Sequence, residues 1–134
     1  FGGHNNIHRS NLYLLVGTCF YGNPCASCAT PATYAAATFV NNRCVFRDSD
    51  TDGGYLSDCG KFTAAVTVAN NSVFSRKGVV KVCVSKNCGA KGAQAQLLAD
   101  WVAAGHDRGS NAARWPEPSL LEDWAAELLQ GGLE

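Results

Sequence analysis

Charged side chains are scarce in this sequence: they make up 16% of the 134 residues, and eleven basic residues balance eleven acidic ones. A neutral chain lacks the basic patch that attracts nucleic acid or an anionic membrane surface. The longest apolar run, Leu12 to Val16, is far shorter than the roughly 18 residues that span a bilayer. We therefore expect no nucleic-acid partner and no membrane span.

Methionine is absent, and the sequence begins at Phe1. Such a beginning is typical of a mature chain from which a signal peptide has been removed. A chain of 134 residues has the size of one domain and buries about two thirds of its unfolded surface. We expect residues 1–10 to be a flexible arm and residues 11–134 to form a single domain.

Cysteine, in contrast, is abundant, and seven cysteines in a chain of this size are typical of a disulfide framework. The disulfide candidates are Cys19, Cys25, Cys28, Cys44, Cys59, Cys83 and Cys88. Because seven is odd, at most three bridges form within the chain, and the seventh thiol stays unpaired or bonds a second chain. The spacing leaves the connectivity open. We predict a secreted, extracellular protein.

A second motif favours the same compartment. Asn70-Asn71-Ser72 is an acceptor sequence for N-glycosylation, which takes place in the secretory pathway. Asn70 is the residue that would carry the glycan, so the chain is predicted to be a glycoprotein.

Hydrophobic periodicity predicts four strands and three helices. The strands are expected at 11–19, 43–47, 62–69 and 79–85, and the helices at 31–41, 93–104 and 119–130. These elements indicate an α+β fold, a small disulfide-stapled antiparallel sheet with helices on one face, for which a ferredoxin-like sandwich is the favoured topology. Residues 11–90 form its cysteine-rich α/β core, and residues 91–134 form a helical C-terminal part.

The two C-terminal helices share a short pattern. Leu97-Leu-Ala-Asp-Trp101 matches Leu120-Leu-Glu-Asp-Trp124. Two amphipathic helices with similar packing needs explain this likeness. The alternative is a docking face for a partner, because tryptophan is a frequent interface anchor. Trp101 and Trp124 are therefore candidate partner-binding residues.

An acidic turn is the candidate metal site. Asp48, Asp50 and Asp52 alternate and are followed by Gly53, which is how a calcium loop begins. A twelve-residue loop would need a bidentate Glu at its last position, where Cys59 stands, and Asp58 is one position early. Calcium held by these four aspartates and a solvated acidic turn are both open.

The stretch from Cys25 to Cys59 contains CASC, then TYAAATFV, RCVF and GGYLSDC. It resembles small secreted fungal proteins, namely the ferredoxin-like killer toxins and the cysteine-rich effectors of plant-pathogenic fungi. This resemblance implies that Cys44 and Cys59 are half-cystines of the framework. It also implies a virulence-type or toxin-like protein that acts by binding rather than by catalysis.

Residues 79–98, VVKVCVSKNCGAKGAQAQLL, carry a second likeness. They resemble the first half of thioredoxin-like 2Fe–2S ferredoxins, in which Cys83 and Cys88 would be the first pair of cluster ligands. No cysteine follows Cys88, so the resemblance implies a degenerate module without its cluster. A thiol-redox role for Cys25-Ala-Ser-Cys28 belongs to the same alternative.

These observations predict a secreted, cysteine-rich binding protein, effector- or toxin-like, with no catalytic residues and no firmly assigned cofactor. Its partner would be a protein target, from a host or as a second secreted protein. The alternatives are the degenerate ferredoxin or thiol-redox module and a calcium-binding secreted domain.

Overall fold

The computed structural model describes residues 7–22, 38–47, 55–58, 67–83 and 95–131. These residues form eleven short strands and two helices. In chain order they are β1 (Ile7–Arg9), β2 (Leu12–Val16), β3 (Phe20–Gly22), β4 (Thr38–Val40), β5 (Arg43–Phe46), β6 (Leu56–Asp58), β7 (Thr67–Ala69), β8 (Ser72–Ser75), β9 (Lys81–Cys83), β10 (Gln96–Leu97), α1 (Leu98–Ala103), β11 (Asn111–Arg114) and α2 (Pro118–Gly131).

From β1 to β9, strands that follow one another along the chain belong to three different sheets in turn. Sheet I has the order β1-β4-β7, sheet II has β2-β5-β8-β11, and sheet III has β3-β6-β9-β10. Every pair is parallel except the one between β9 and β10. The chain therefore winds as a parallel β-helix. Coil 1 is β1–β3, coil 2 is β4–β6 and coil 3 is β7–β9.

The turn between sheets I and II is the same in every coil. Ser10, Asn41 and Asn70 occupy its first position, and Gly109 holds the equivalent position before β11. Their φ values are 56°, 57°, 55° and 77°. Short polar residues and glycine tolerate this left-handed conformation better than others do. A Cβ at Gly109 would also meet the side-chain oxygen of Asn70, which would then have to move.

The core fills the inside of the coils. Its buried members come from all three sheets and from α1: Phe39, Cys44, Phe46, Tyr55, Val73, Val80, Val82 and Leu98. In sheet II the register stacks Tyr13, Cys44, Val73 and Ala112, one from each strand. Apolar side chains at matching positions of successive coils bury one another, so no strand needs a second sheet layer to cover it.

Helix α2 packs against the outer face of sheet II. The ring centroids of Trp124 and Phe74 lie 5.2 Å apart, and the Arg43 guanidinium lies 4.8 Å from the centre of the Trp124 ring. Val45, on the same face of β5 as Arg43, is 1% exposed. The helix therefore shields apolar residues on the outside of the coil.

The α+β class predicted from the sequence is confirmed, but the antiparallel sheet is wrong. The described residues form three mainly parallel sheets, and a ferredoxin-like sandwich is not what they build. The strand predictions at 11–19, 43–47, 62–69 and 79–85 each contain an observed strand. Helix α2 confirms the prediction at 119–130, and Gly105, at φ 92°, follows the end of α1.

Two helix predictions change. Thr38–Val40, the end of the helix expected at 31–41, is strand β4, because its register with β1 and β7 places Phe39 in the core. Residues 31–37 lie outside the described residues. The helix expected at 93–104 begins only at Leu98, after Gln96 and Leu97 have paired with β9. Ile7–Arg9, from the expected arm, form β1.

Candidate functional site

A ladder of three asparagine side chains and one serine joins the coils. Asn42, Asn71 and Ser110 are buried, whereas Asn11, at the end of the ladder, is exposed. The ladder occupies the second position of the repeated turn, at Asn11, Asn42, Asn71 and Ser110, which are 31, 29 and 39 residues apart. The amide nitrogen and Nδ2 of Asn11 both donate to Oδ1 of Asn42, each at 3.0 Å. The same two groups of Asn42 donate to Oδ1 of Asn71, at 2.9 and 3.0 Å.

The backbone around the ladder repeats as regularly. The N–H at the first turn position donates to a carbonyl of the following coil, as from Asn41 to Ala69 at 3.1 Å. The N–H just after the ladder residue donates back to the preceding coil, as from Ser72 to the carbonyl of Asn42 at 2.9 Å. Equivalent bonds run from Ser10 to Val40, Asn70 to Arg108, Arg43 to Asn11 and Asn111 to Asn71. Each coil interface thus has one fixed set of donors and acceptors.

At coil 1 this set has no described partner on its outer side. Strands β1, β2 and β3 each form one edge of their sheet. The carbonyl of Asn11 and the N–H of Leu12 belong to one trans peptide and therefore point in opposite directions. The carbonyl accepts a hydrogen bond from Arg43 in coil 2, so the N–H of Leu12 points away from coil 2. The N–H of Ser10 donates to the carbonyl of Val40 in coil 2, so the carbonyl of Arg9, on the opposite side of the same peptide, points away from coil 2.

The side chain of Asn11 completes the open set. Its Oδ1 occupies the ladder position at which Asn42 and Asn71 each accept two bonds from the preceding coil, and within the described part of the chain no such pair of donors reaches it. The Asn11 side chain also forms a hydrogen bond with the Tyr13 hydroxyl of its own coil. The carbonyl of Arg9, Oδ1 of Asn11 and the N–H of Leu12 are therefore an acceptor, an acceptor and a donor in a row. They are the groups that a preceding coil would use.

Apolar side chains also lie exposed on coil 1. Ile7 is 67% exposed, Leu15 55% and Leu14 39%. Beside them, Tyr13 packs on Phe39, and its hydroxyl lies 3.1 Å from Nδ1 of His8. Partial burial raises the pKa of the Tyr13 hydroxyl, so it stays protonated at neutral pH. The edge thus combines unpaired backbone groups with apolar surface.

The other end of the ladder is closed by a buried polar network. The N–H of Asn71 donates to Oγ of Ser110 at 2.8 Å, and Ser110 in turn donates to Asp107. The hydroxyl of Tyr55 donates to Oδ2 of Asp107 at 2.7 Å. Burial raises the pKa of the Asp107 carboxyl, and burial beside that carboxyl raises the pKa of Tyr55. The network terminates the ladder and holds the segment that leads into β11.

A cavity of about 260 Å³ lies between coils 2 and 3. Its lining is Phe46, Tyr55, Ser75, Lys77, Val79, Val80 and Lys81. Both lysines make interactions within the protein. Among the described residues, no three histidine, cysteine, aspartate or glutamate side chains come close enough together to hold a metal ion.

The structure pairs two of the seven predicted half-cystines. Cys19 and Cys44 form a disulfide that joins coil 1 to coil 2, with their Cα atoms 6.3 Å apart. Cys83 belongs to strand β9. The other four candidates, Cys25, Cys28, Cys59 and Cys88, lie outside the described residues.

The remaining predicted site residues lie partly outside the described residues. Of the calcium candidates, Asp58 belongs to β6, whereas Asp48, Asp50 and Asp52 lie outside the described residues. Trp101 stacks on the His106 ring, with centroids 3.9 Å apart, and Trp124 lies against Phe74. Both tryptophans therefore make contacts within the chain. Asn70 is an exposed turn residue in the left-handed conformation.

Sequence reasoning missed the ladder, although its signal is present. Asn41-Asn42 and Asn70-Asn71 precede strands of similar pattern, as do Ser10-Asn11 and Gly109-Ser110. Alignment of the first three dipeptides, 31 and 29 residues apart, would have revealed a repeat of about 30 residues, the length typical of solenoid coils, and the fourth follows after 39 residues.

Comparison of the chain with protein-family models, with curated proteins and with solved structures finds no match to any of them. Within the described part of the chain, neither helix has the length and hydrophobicity that crossing a bilayer requires. The coil and its open edge are thus the features from which a function is to be inferred.

Proposed function

We propose that the protein is a secreted, non-catalytic binding module that recruits a polypeptide partner to the open edge of coil 1. One observation carries the proposal: the row formed by Arg9, Asn11 and Leu12 has the spacing that the chain itself uses between its coils. Addition of a strand to a sheet edge is a common mode of peptide recognition, in which main-chain hydrogen bonds provide affinity.

The exposed apolar residues of coil 1 support this interpretation. A strand placed on β1 and β2 would cover part of Ile7, Leu14 and Leu15, and burial of apolar surface adds about 25 cal/mol per Å². Natural proteins protect long unpaired edges with charge, proline or a covering segment. In β2 the five residues carry no charge and no proline. The register shifts between Tyr13 and Val16, where Leu15 has a φ of 51°, so the part of the edge suited to pairing is the turn and the start of β2 at Leu12 and Tyr13.

The disulfide supports both the compartment and the mode of binding. Disulfides persist in oxidising environments such as the extracellular space. Cys19 follows β2, and its bond to Cys44 in β5 fastens coil 1 to coil 2. A coil held in this way keeps its edge in place, so a partner does not have to order it on binding. The target would be a host protein or a second secreted protein.

The test uses a peptide of this chain's own coil 3, residues 67–76, which contains a complete turn and no cysteine. Fluorescence polarisation of the labelled peptide, titrated with the protein, should show saturable binding. In a Leu12→Pro variant the outward N–H is lost while the bonds to coil 2 remain, so we expect binding to weaken at least about tenfold.

Leu12→Ala is the matched control, because it shortens the side chain and keeps the N–H. It should bind the peptide almost as well as the parent protein. Thermal unfolding of each variant checks that coil 1 remains folded. Equal binding by Leu12→Pro and Leu12→Ala, or no saturable binding by the parent protein, would refute the proposal.

A further inference from the structure

The repeated turn restricts which polypeptide can complete the edge. We infer that the partner segment carries a residue that tolerates the left-handed conformation, followed directly by asparagine, and that Asn11 is the residue that recognises it. This inference rests on the proposed function and specifies the partner. Its evidence is that two consecutive ladder steps, from Asn11 to Asn42 and from Asn42 to Asn71, have the same geometry.

Asparagine at the second turn position supplies two donors to one acceptor. In both steps the backbone N–H and Nδ2 converge on a single Oδ1, at 2.9 to 3.0 Å. Alanine in the partner would supply the N–H alone. Aspartate would also lack the Nδ2 donor, and it would place a carboxylate oxygen against the side-chain oxygen Oδ1 of Asn11. Asparagine is therefore preferred over both.

The second Nδ2 hydrogen of Asn42 and of Asn71 donates to a backbone carbonyl of the preceding coil. Nδ2 of Asn42 donates to the carbonyl of His8 at 3.1 Å, and Nδ2 of Asn71 donates to the carbonyl of Phe39 at 3.0 Å. Asparagine thus binds the following coil and also holds its own turn against the preceding one. Serine serves at the last rung, where Ser110 accepts from Asn71 and donates to Asp107.

The first turn position selects for conformation. Its four occupants have φ between 55° and 77°, and the N–H of Ser10, Asn41 and Asn70 donates to the following coil. The equivalent N–H of the partner would donate to the carbonyl of Arg9. A β-branched residue at that position is strained in the left-handed region, so it would misdirect this N–H.

A panel of peptides tests the inference, all based on residues 67–76 and measured by fluorescence polarisation against the parent protein. Asn71→Ala and Asn71→Asp in the peptide should each weaken binding about fivefold or more, since each removes a hydrogen bond to Asn11. Asn70→Val should weaken it by a similar factor, whereas Asn70→Gly should not.

The readout specific to Asn11 is a double-mutant cycle. In the Asn11→Ala protein, which lacks the acceptor, the peptide with Asn71 and the peptide with Asn71→Ala should bind with nearly equal affinity. An unchanged preference for Asn71 in that protein would refute the assignment of Asn11. Asn111→Ala, an exposed position at the other end of the molecule, is the control variant.

The outcomes separate this inference from the proposed function. If every peptide of the panel binds equally and Leu12→Pro abolishes binding, strand addition stands and the asparagine requirement is wrong. If no peptide binds, the proposed function fails first. If sedimentation instead shows a symmetric dimer that buries Leu12, the edge is occupied by a second copy and the inferred partner is wrong.

Discussion

Asn42 shows how one side chain links two coils. It is 1% exposed and takes part in hydrogen bonds with Asn11, Asn71 and the carbonyl of His8. A buried polar group without partners destabilises a fold, and one with all partners helps to specify it. The ladder therefore fixes the register between coils, while the apolar stack beside it supplies most of the burial energy.

We expect Asn42→Ala to reduce the free energy of unfolding by about 3 kcal/mol, because it leaves buried donors and an acceptor without partners on both neighbouring coils. Asn111→Ala, at an exposed position, should change it by less than about 0.5 kcal/mol. Urea unfolding followed by circular dichroism measures both. Equal effects would mean that the ladder does not join the coils.

Asp107 should make stability depend on pH. Burial raises its pKa in the folded protein above the ordinary value of 3.8, so the protonated form favours the fold. Its contribution is complete below 3.8 and is lost as the pH rises through the raised pKa. The unfolding free energy of the parent protein minus that of Asp107→Asn should therefore fall between acid pH and neutrality. A difference that stays constant or rises would contradict this sign.

Among the elements, α2 was the most predictable from the sequence. Its apolar spacing is a local signal, and a helix of 14 residues results. The strands are only two to five residues long, too short for a period to show which strand is the neighbour. Alternation indicated strands but not their parallel pairing, because the pairing depends on residues about 30 positions away.

The packing of α2 should depend on its aromatic contact more than on its ion pair. Trp124→Ala removes the contacts with Phe74 and Arg43, and we expect it to cost about 2 kcal/mol, since Trp124 is half-buried. Glu127→Ala breaks a 3.1 Å ion pair with Arg43 whose side chains are 41% and 68% exposed, and it should cost less than about 0.5 kcal/mol. Thermal unfolding measures the loss of stability in each variant. A larger loss for Glu127→Ala than for Trp124→Ala would contradict the expectation.

For the whole molecule, composition predicted the cysteine chemistry better than the architecture. The Cys19–Cys44 bond is one of the pairings left open by the sequence, and it became definite only when the coils placed β2 beside β5. The open edge was not predictable from the same reasoning, because a sheet edge is defined by which strands stack and not by any one motif. If the turn dipeptides had been recognised as a repeat, the stacking of β2 beside β5 and the open edge could both have been predicted.

The proposal of target binding at the edge of coil 1 belongs to the architecture of the whole molecule. A solenoid buries its core between neighbouring coils, so its end presents the same groups that stabilise its interior. Among the described residues, coil 1 is the coil whose strands form the edges of all three sheets, and it lies next to the disulfide.

Residue-resolved hydrogen exchange tests the central claim most directly. The amides of Arg43, Ser72 and Asn111 donate to the preceding coil and should be protected in the free protein, whereas the amide of Leu12 should exchange rapidly. Saturation with the peptide of residues 67–76 should slow exchange at Leu12 at least about tenfold. Binding of the peptide with Leu12 still exchanging rapidly would show that the partner lies elsewhere, and the account of the open edge would be wrong.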